Sequence, residues 1–506
     1  MRSSICFSNK YERILYFVLW IGGVAYSIYN VYLTNIHFQD YYDVYSDFVS
    51  GWSWIGRKQD VSDQEWRVWI PLMITLIPWI FVHHLVSEII KNVFNEMQLL
   101  CCWYTSVSTL FLCYYFGTVG MLCILAQSSL LYLLNYVNSK KIIWLVHVLF
   151  LFIIHVCKIP NGSFYQWLQY NDDEHYLLLL AMCWIQLRSI SQNMNTFQMH
   201  KFQDKINFTD FFNNYLQMLA YCLYLPTLFL GPLILYHEFL NALGKFPSKW
   251  NFMKAKKIIT NLIRYIFWYY FTEFSLHFVY INVLQYHPKI VENLNSWALY
   301  GLGYCMGQFF LNKYVVIYGI NKTLCEADGI EAPLPPKCIG RIHLYSDMWK
   351  SFDRGLYKFL IRYIYIPVIN TTKSNGYHKK LFASFLCFTF VFLWHGMQTN
   401  IFTWALLNFI GLNIENLSRI IGNTEIYNRI VDKYLSSWNR RRLDCALASI
   451  LLAMSAISNF FFFAGQKIGN IYINRILNDS WSTTSLLLFF LYCCCHVSID
   501  TKLMKM

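Results

Sequence analysis

This sequence predicts an all-α polytopic membrane protein with about ten to thirteen transmembrane or re-entrant helices. Three observations predict it. Of the 506 residues, 56% are apolar and only 14% charged, well away from the soluble average. Apolar stretches long enough to cross a hydrocarbon core, roughly 20 residues each, recur along the whole chain. The 16 cysteines mostly lie inside those stretches, as Cys113, Cys123, Cys183 and Cys387 do, and read as small core hydrophobes rather than a secreted disulfide framework.

The first stretch, near Tyr11 to Leu33, is too long for a signal-peptide core and lacks a convincing cleavage site after it, so it is expected to stay as an anchor. Runs over about 69 to 91 and 97 to 139 follow. The second carries no charged residue, is about twice one span's length and has Gly117 and Gly120 near its centre, which predicts two helices joined there. Further runs cover about 142 to 157, 175 to 190 and 211 to 239. In the last, Tyr224-Leu225-Pro226 and Gly231-Pro232 break the helix, either as a packing kink or as part of a tunnel wall. Runs near 258 to 285, 294 to 320, 381 to 414, 443 to 465 and 483 to 498 complete the set.

The net charge of +13 is spread in short clusters beside apolar runs instead of over one folded face, which fits membrane orientation better than nucleic acid. Lys245, Lys249, Lys254, Lys256 and Lys257 share a connection with no acid among them, which is expected in the cytosol. Two crossings later the chain should be back there by Asn321, where a longer polar loop is expected; the sequons at Asn321 and Asn416 should then carry no glycan. Lys379, Lys380 and Arg440 to Arg442 mark the same side. No internal repeat supports an inverted-repeat transporter, and residues 1–506 read as one membrane domain.

Leu381 to Ile414 has no Asp, Glu, Lys or Arg, and His395 sits near its middle. An ionisable group at that depth is expensive and a functional candidate by default, against the plainer role of a core histidine bonded to a carbonyl. At roughly 1.5 Å per residue, Leu381 to His395 covers only about 22 Å, so His395 stops short of the far face. The polar interruption Gly396 to Asn400 is tolerated there only within protein or beside a water-filled cavity. A buried neutral imidazole is a natural general base. The second constellation, Met348 to Leu356 running on to Arg362 and Pro367, is basic, aromatic and broken at Gly355 and Pro367, as interfacial or re-entrant helices are. Asp353 either pairs with Arg354, Lys350 or Arg362, or stands free while those cations hold the phosphates of an acyl donor. Cys338, after the stiff Pro333-Leu334-Pro335-Pro336-Lys337 loop, is inert, acylated or a soft metal ligand.

Phe352-Asp353, Gly355-Leu356, Phe359 to Tyr363, Tyr365-Ile366-Pro367 and Trp394-His395-Gly396 resemble the membrane-bound O-acyltransferase superfamily, and within it the hedgehog acyltransferase group. Gly231-Pro232 with Glu238-Phe239, Pro335 to Cys338, Ala405 to Asn408 with Glu415-Asn416, and Asn474-Arg475-Ile476 extend the resemblance, whereas Val368 to Thr372 departs from it. The resemblance implies a multi-pass endoplasmic-reticulum enzyme whose helices surround an acyl-CoA tunnel. It would take palmitoyl-CoA from the cytosol and acylate the N-terminal cysteine amine of hedgehog-type secreted ligands. It implies His395 and Asp353 as the catalytic pair and a haem whose iron is held by Cys338. Trp349, Lys350 and Arg362 are expected on the acyl-CoA side. The rival readings are an acyltransferase acting on a serine hydroxyl or lipid alcohol, and a transporter.

Overall fold

The structure is a computed structural model, described for residues 9–35, 47–159, 162–199, 208–245, 250–338, 340, 342–370 and 376–504. Lys249 of the basic connection, and Thr371 and Thr372 of the stretch that departs from the resemblance, lie outside the described residues. Almost all of the described chain is helical; one two-stranded antiparallel pair joins Phe48–Val49 to Gln59–Asp60. Six helical stretches among the described residues are long and apolar enough to cross a membrane: Lys10–Thr34, Gln64–Phe94, Met97–Tyr136, Lys140–Cys157, Ser437–Asn478 and Trp481–Leu503. Others, such as Asp172–Met199 and Ser296–Ala327, carry the polar groups that the interior uses.

The helices are apolar nearly all round, as they must be with lipid on one side and protein on the other. Along Gln64–Ile89, Trp66, Leu72, Leu76 and Ile80 are buried while Ile74, Ile77 and Phe81 are exposed. The expected anchor forms the helix Lys10–Asn35, which packs on Ser296–Ala327 through Gly301; a Cβ there would stand 2.2 Å from the Ser27 carbonyl oxygen. The double-length run divides where expected: Gly117 takes φ 68° inside Met97–Tyr132, a left-handed conformation that suits glycine and breaks the helix into two arms. Gly465, at φ 81°, breaks Ser437–Asn478 in the same way.

The run from 211 to 239 is broken at both motifs. Its helix Phe208–Cys222 stops at Cys222, a short turn spans Leu225–Thr227, and the chain runs through a cis Gly231–Pro232 bond to the helix Tyr236–Leu243. Interior backbone that leaves a helix needs partners for its carbonyls. Arg188 donates to the Cys222 and Thr227 carbonyls, and Asn321 to those of Leu230 (3.2 Å) and Gly231 (2.8 Å). Asn321 is therefore buried in Ser296–Ala327, and the polar loop begins at Asp328, some residues later than expected; Asn416 likewise lies within the helix Thr399–Gly422. The sequence placed the loop early because helix Ser296–Ala327 buries its polar final turns against protein, where hydropathy reads them as solvated.

Two faces are recognisable from their polar contacts. On one, Lys254 donates to the Ala327 carbonyl and Lys257 pairs with Glu326, while His83, His84 and Lys91 gather on Asp328. This is the face on which the basic connection lies, and it is called the basic face below. On the other, the segment around Asp60 meets Leu276 and Asn282, and Arg67 pairs with Asp173.

Candidate active site

A cavity of about 620 Å³ runs through the interior, and both His395 and Asp353 line it. His395 is the last residue of the helix Tyr377–His395. Gly396 then turns the chain at φ 116° and Met397 follows at φ 57°, so the expected polar interruption is a left-handed stop and not a loop through lipid. The imidazole is held by rings: centroids of Trp394, Phe462 and Trp404 lie 4.6, 5.0 and 5.5 Å away, each edge-on. Among the described residues it makes no hydrogen bond, and its side chain forms part of the cavity wall.

Asp353 sits at the start of Arg354–Leu360, where its Oδ1 accepts from the Leu356 N–H at 2.8 Å, as an N-cap does. Its Oδ2 accepts from the Tyr318 hydroxyl at 2.9 Å. It pairs with none of Arg354, Lys350 or Arg362, so the ion-pair alternative is not what the fold adopts. Gly355 explains how the carboxylate comes so close to the broken segment: a Cβ there would meet the Leu233 carbonyl oxygen at 2.3 Å.

Trp349 also lines the cavity, with its indole N–H 3.3 Å from Asn408 Oδ1. Lys350 is exposed and Arg362 half-buried, its guanidinium 3.5 Å from His237; neither lines the cavity. Cys338 is exposed on its loop and lies by the cavity's end, where Trp20, Tyr304 and Gly340 line the wall.

Lys313, which none of the sequence motifs includes, belongs to the same site. Its ammonium lies 2.9 Å from Asp63 Oδ2 and 2.8 Å from Glu65 Oε2, and all three line the cavity. Lys313 interrupts an apolar run, so the rule that picked out His395 would have found it. Tyr318 gave no such signal. Close by, Asp60 is buried and accepts backbone N–H groups of Asn282 (2.7 Å), Val283 (3.2 Å) and Ser62 (3.0 Å); burial nonetheless pushes its carboxyl up to about 6.

One cluster has metal-like spacing: His83 and His84 lie 2.9 and 2.8 Å from the two oxygens of Asp328. Tyr224 donates to the same carboxylate at 2.6 Å, and the Lys91 ammonium stands 3.4 Å away. A cation already present and a carboxylate saturated with donors make this a hydrogen-bond network better than a metal centre.

A family model for MBOAT, the membrane-bound O-acyltransferase family, matches residues 99–466. The chain belongs to this family. As a membrane-bound acyltransferase it is similar along nearly its whole length to two proteins. One is the protein-cysteine N-palmitoyltransferase Rasp of Drosophila melanogaster, 29% identical with 96% of this chain and 94% of that protein covered. The other is the protein-cysteine N-palmitoyltransferase HHAT of Mus musculus, 26% identical with 97% of each covered. Likeness to the membrane-bound O-acyltransferase gup1 of Schizosaccharomyces pombe is weaker, 22% identical over 88% of this chain and 82% of that protein.

Proposed function

We propose that this acyltransferase moves palmitate from palmitoyl-CoA to the α-amine of an N-terminal cysteine on hedgehog-type secreted ligands, in the endoplasmic reticulum membrane, with its basic face in the cytosol. The observation that carries the reading is the single cavity shared by an unbonded imidazole and a capped carboxylate, in a chain alike end to end to two protein-cysteine N-palmitoyltransferases.

The acceptor amine, with a pKa of about 8, needs a base as it attacks the thioester. His395 takes the proton as the N–C bond forms; the C–S bond breaks and the proton passes to the departing thiolate. Asp353, fixed by Tyr318 and Leu356, sets the position of the groups opposite the imidazole and adds negative charge to the cavity. The aromatic wall of Trp394, Trp404 and Phe462 limits water, and so hydrolysis of the donor. The donor's phosphates would meet the basic segment Lys350 to Arg362, beside Trp349 in the cavity wall.

Haem fits the residues at the other end: an exposed thiol on a stiff loop, next to the aromatic side chains of Trp20 and Tyr304. Cys338 would supply the axial thiolate. A Soret band in the purified protein that Cys338→Ala loses tests this; an undiminished band in the variant assigns the ligand elsewhere.

The acceptor chemistry is tested with labelled palmitoyl-CoA and a peptide beginning with cysteine. The expected product resists neutral hydroxylamine, and acetylating the α-amine stops its formation. Full-rate acylation of the acetylated peptide, or preference for a serine hydroxyl or a lipid alcohol, would overturn the N-acyl reading.

A further inference from the structure

We propose that residues 47–63 and 276–287 form a collar on the face opposite the basic one, clasped by Asp60 and Glu273, which admits the acceptor to the cavity and keeps water from the thioester. The inference rests on the acceptor reading above, because it assigns the acceptor's way in.

The two segments contribute Asp63, Asn282 and Gln285 to the wall of the main cavity. Neither Asp60 nor Glu273 lines it, so both act through those neighbours. Asp60 is 0% exposed and draws its Oδ2 onto the Asn282 and Val283 N–H groups, while its own N–H reaches the Leu276 carbonyl at 3.1 Å. It forms no ion pair among the described residues. A carboxylate buried on neutral donors is costly, and what it secures here is the placement of Asn282. Glu273 uses both oxygens across the same gap, accepting from Gln59 Nε2 at 2.6 Å and from the Trp66 indole at 2.7 Å. Trp66 lies in the first turn of the helix that carries Glu65, so Glu273 also sets the Asp63–Glu65–Lys313 cluster. A third tie runs from the Trp52 N–H to His277 Nε2, at 3.0 Å.

Behind the clasp lies a second space of about 210 Å³, lined by Asp60, Trp66, Glu273 and Leu276. Asp63 and Asn282 border both this space and the main cavity, so they are the partition between the two. A partition with space on either side can move without unfolding its surroundings. The clasp therefore holds a movable wall. Loosening it should weaken capture of the acceptor and let water cleave the donor to fatty acid and coenzyme A thiol, leaving chemistry on a captured acceptor unchanged.

The test uses the purified full-length enzyme, palmitoyl-CoA and a peptide beginning with cysteine, comparing wild type with Asp60→Asn and Glu273→Gln. Free thiol and amide product are measured separately. The expected result is a KM for peptide raised about tenfold, kcat within about twofold, an unchanged KM for palmitoyl-CoA, and several-fold more thiol released without amide. Equal falls in kcat and in kcat/KM, or an unchanged ratio of hydrolysis to transfer, would overturn the collar. If Asp60→Asn does not give monodisperse protein, Glu273→Gln decides alone, and restoration by Glu273→Asp of a low peptide KM supports the clasp. A wild-type enzyme that leaves the peptide untouched sinks the acceptor reading. The collar is then judged by thiol release alone: a rise in the variants supports it, and no change overturns it.

Discussion

His83 and His395 are both imidazoles inside the membrane domain, yet their surroundings differ in kind. His83 is fully buried, stacks on Tyr104 at 4.6 Å and points Nε2 at Asp328, a carboxylate shared with His84, Tyr224 and Lys91. His147 is similar, with Asn193 and Gln186 each 2.9 Å away. His395 has three aromatic rings, no hydrogen bond to a described residue, and a cavity in front of it. The contrast between these imidazoles separates two meanings of a buried ionisable group. The expense of placing it there is met either by partners, in which case it is structural, or by a cavity, in which case it is left able to react.

The largest effect that separates the two is catalytic. His395→Ala should lower transfer by at least about 10³-fold while leaving a monodisperse, normally expressed protein, because general-base catalysis is lost and only ring contacts go with it. Collapse of the monodisperse peak would return His395 to the structural class. The opposite pattern is expected at the network. Asp328→Ala leaves His83, His84, Tyr224 and Lys91 without their common acceptor and should cost about 3–5 kcal/mol, read as a lower melting temperature in detergent. The protein that remains folded should keep its kcat; a selective loss of kcat would mean the network is part of the chemistry.

Asp60 offers a third environment, outside the spans. Because burial raises its carboxyl from 3.8 to about 6, the folded protein holds this proton more tightly than the unfolded chain. Its contribution is fully present below pH about 4, fades as pH rises through 6, and is flat above, a range of at most about 3 kcal/mol. Melting temperatures from pH 4 to 8 should show that fall, and Asp60→Asn should flatten it. The smallest expected effect is at Tyr318→Phe, which removes one of the two hydrogen bonds fixing Asp353 and should slow transfer about tenfold. An unchanged rate would make Asp353 a helix cap and no more.

Much of this was open to a reader of the chain. Composition and run length determined a helical membrane protein, and Gly117 marked the break in its double-length run because a left-handed residue favours glycine. The absence of charge around His395 singled it out, and the Phe352-Asp353 and Trp394-His395-Gly396 motifs carried the resemblance that the family match then established. What only tertiary structure decided is who meets whom. Asp353 had Lys350, Arg354, Lys358 and Arg362 within ten residues and took none of them, choosing Tyr318, 35 residues earlier in the chain. Asn321 read as the start of a loop and is the buried partner of two carbonyls in the broken segment. Lys313 is tolerated inside because two carboxylates 250 and 248 residues away close on it. Local sequence fixes helix and span because hydrogen bonds within a helix and the thickness of the bilayer are local constraints. Partner choice for a buried polar group is settled by which distant groups packing brings within 3 Å, and that distance is not written in any one stretch of chain.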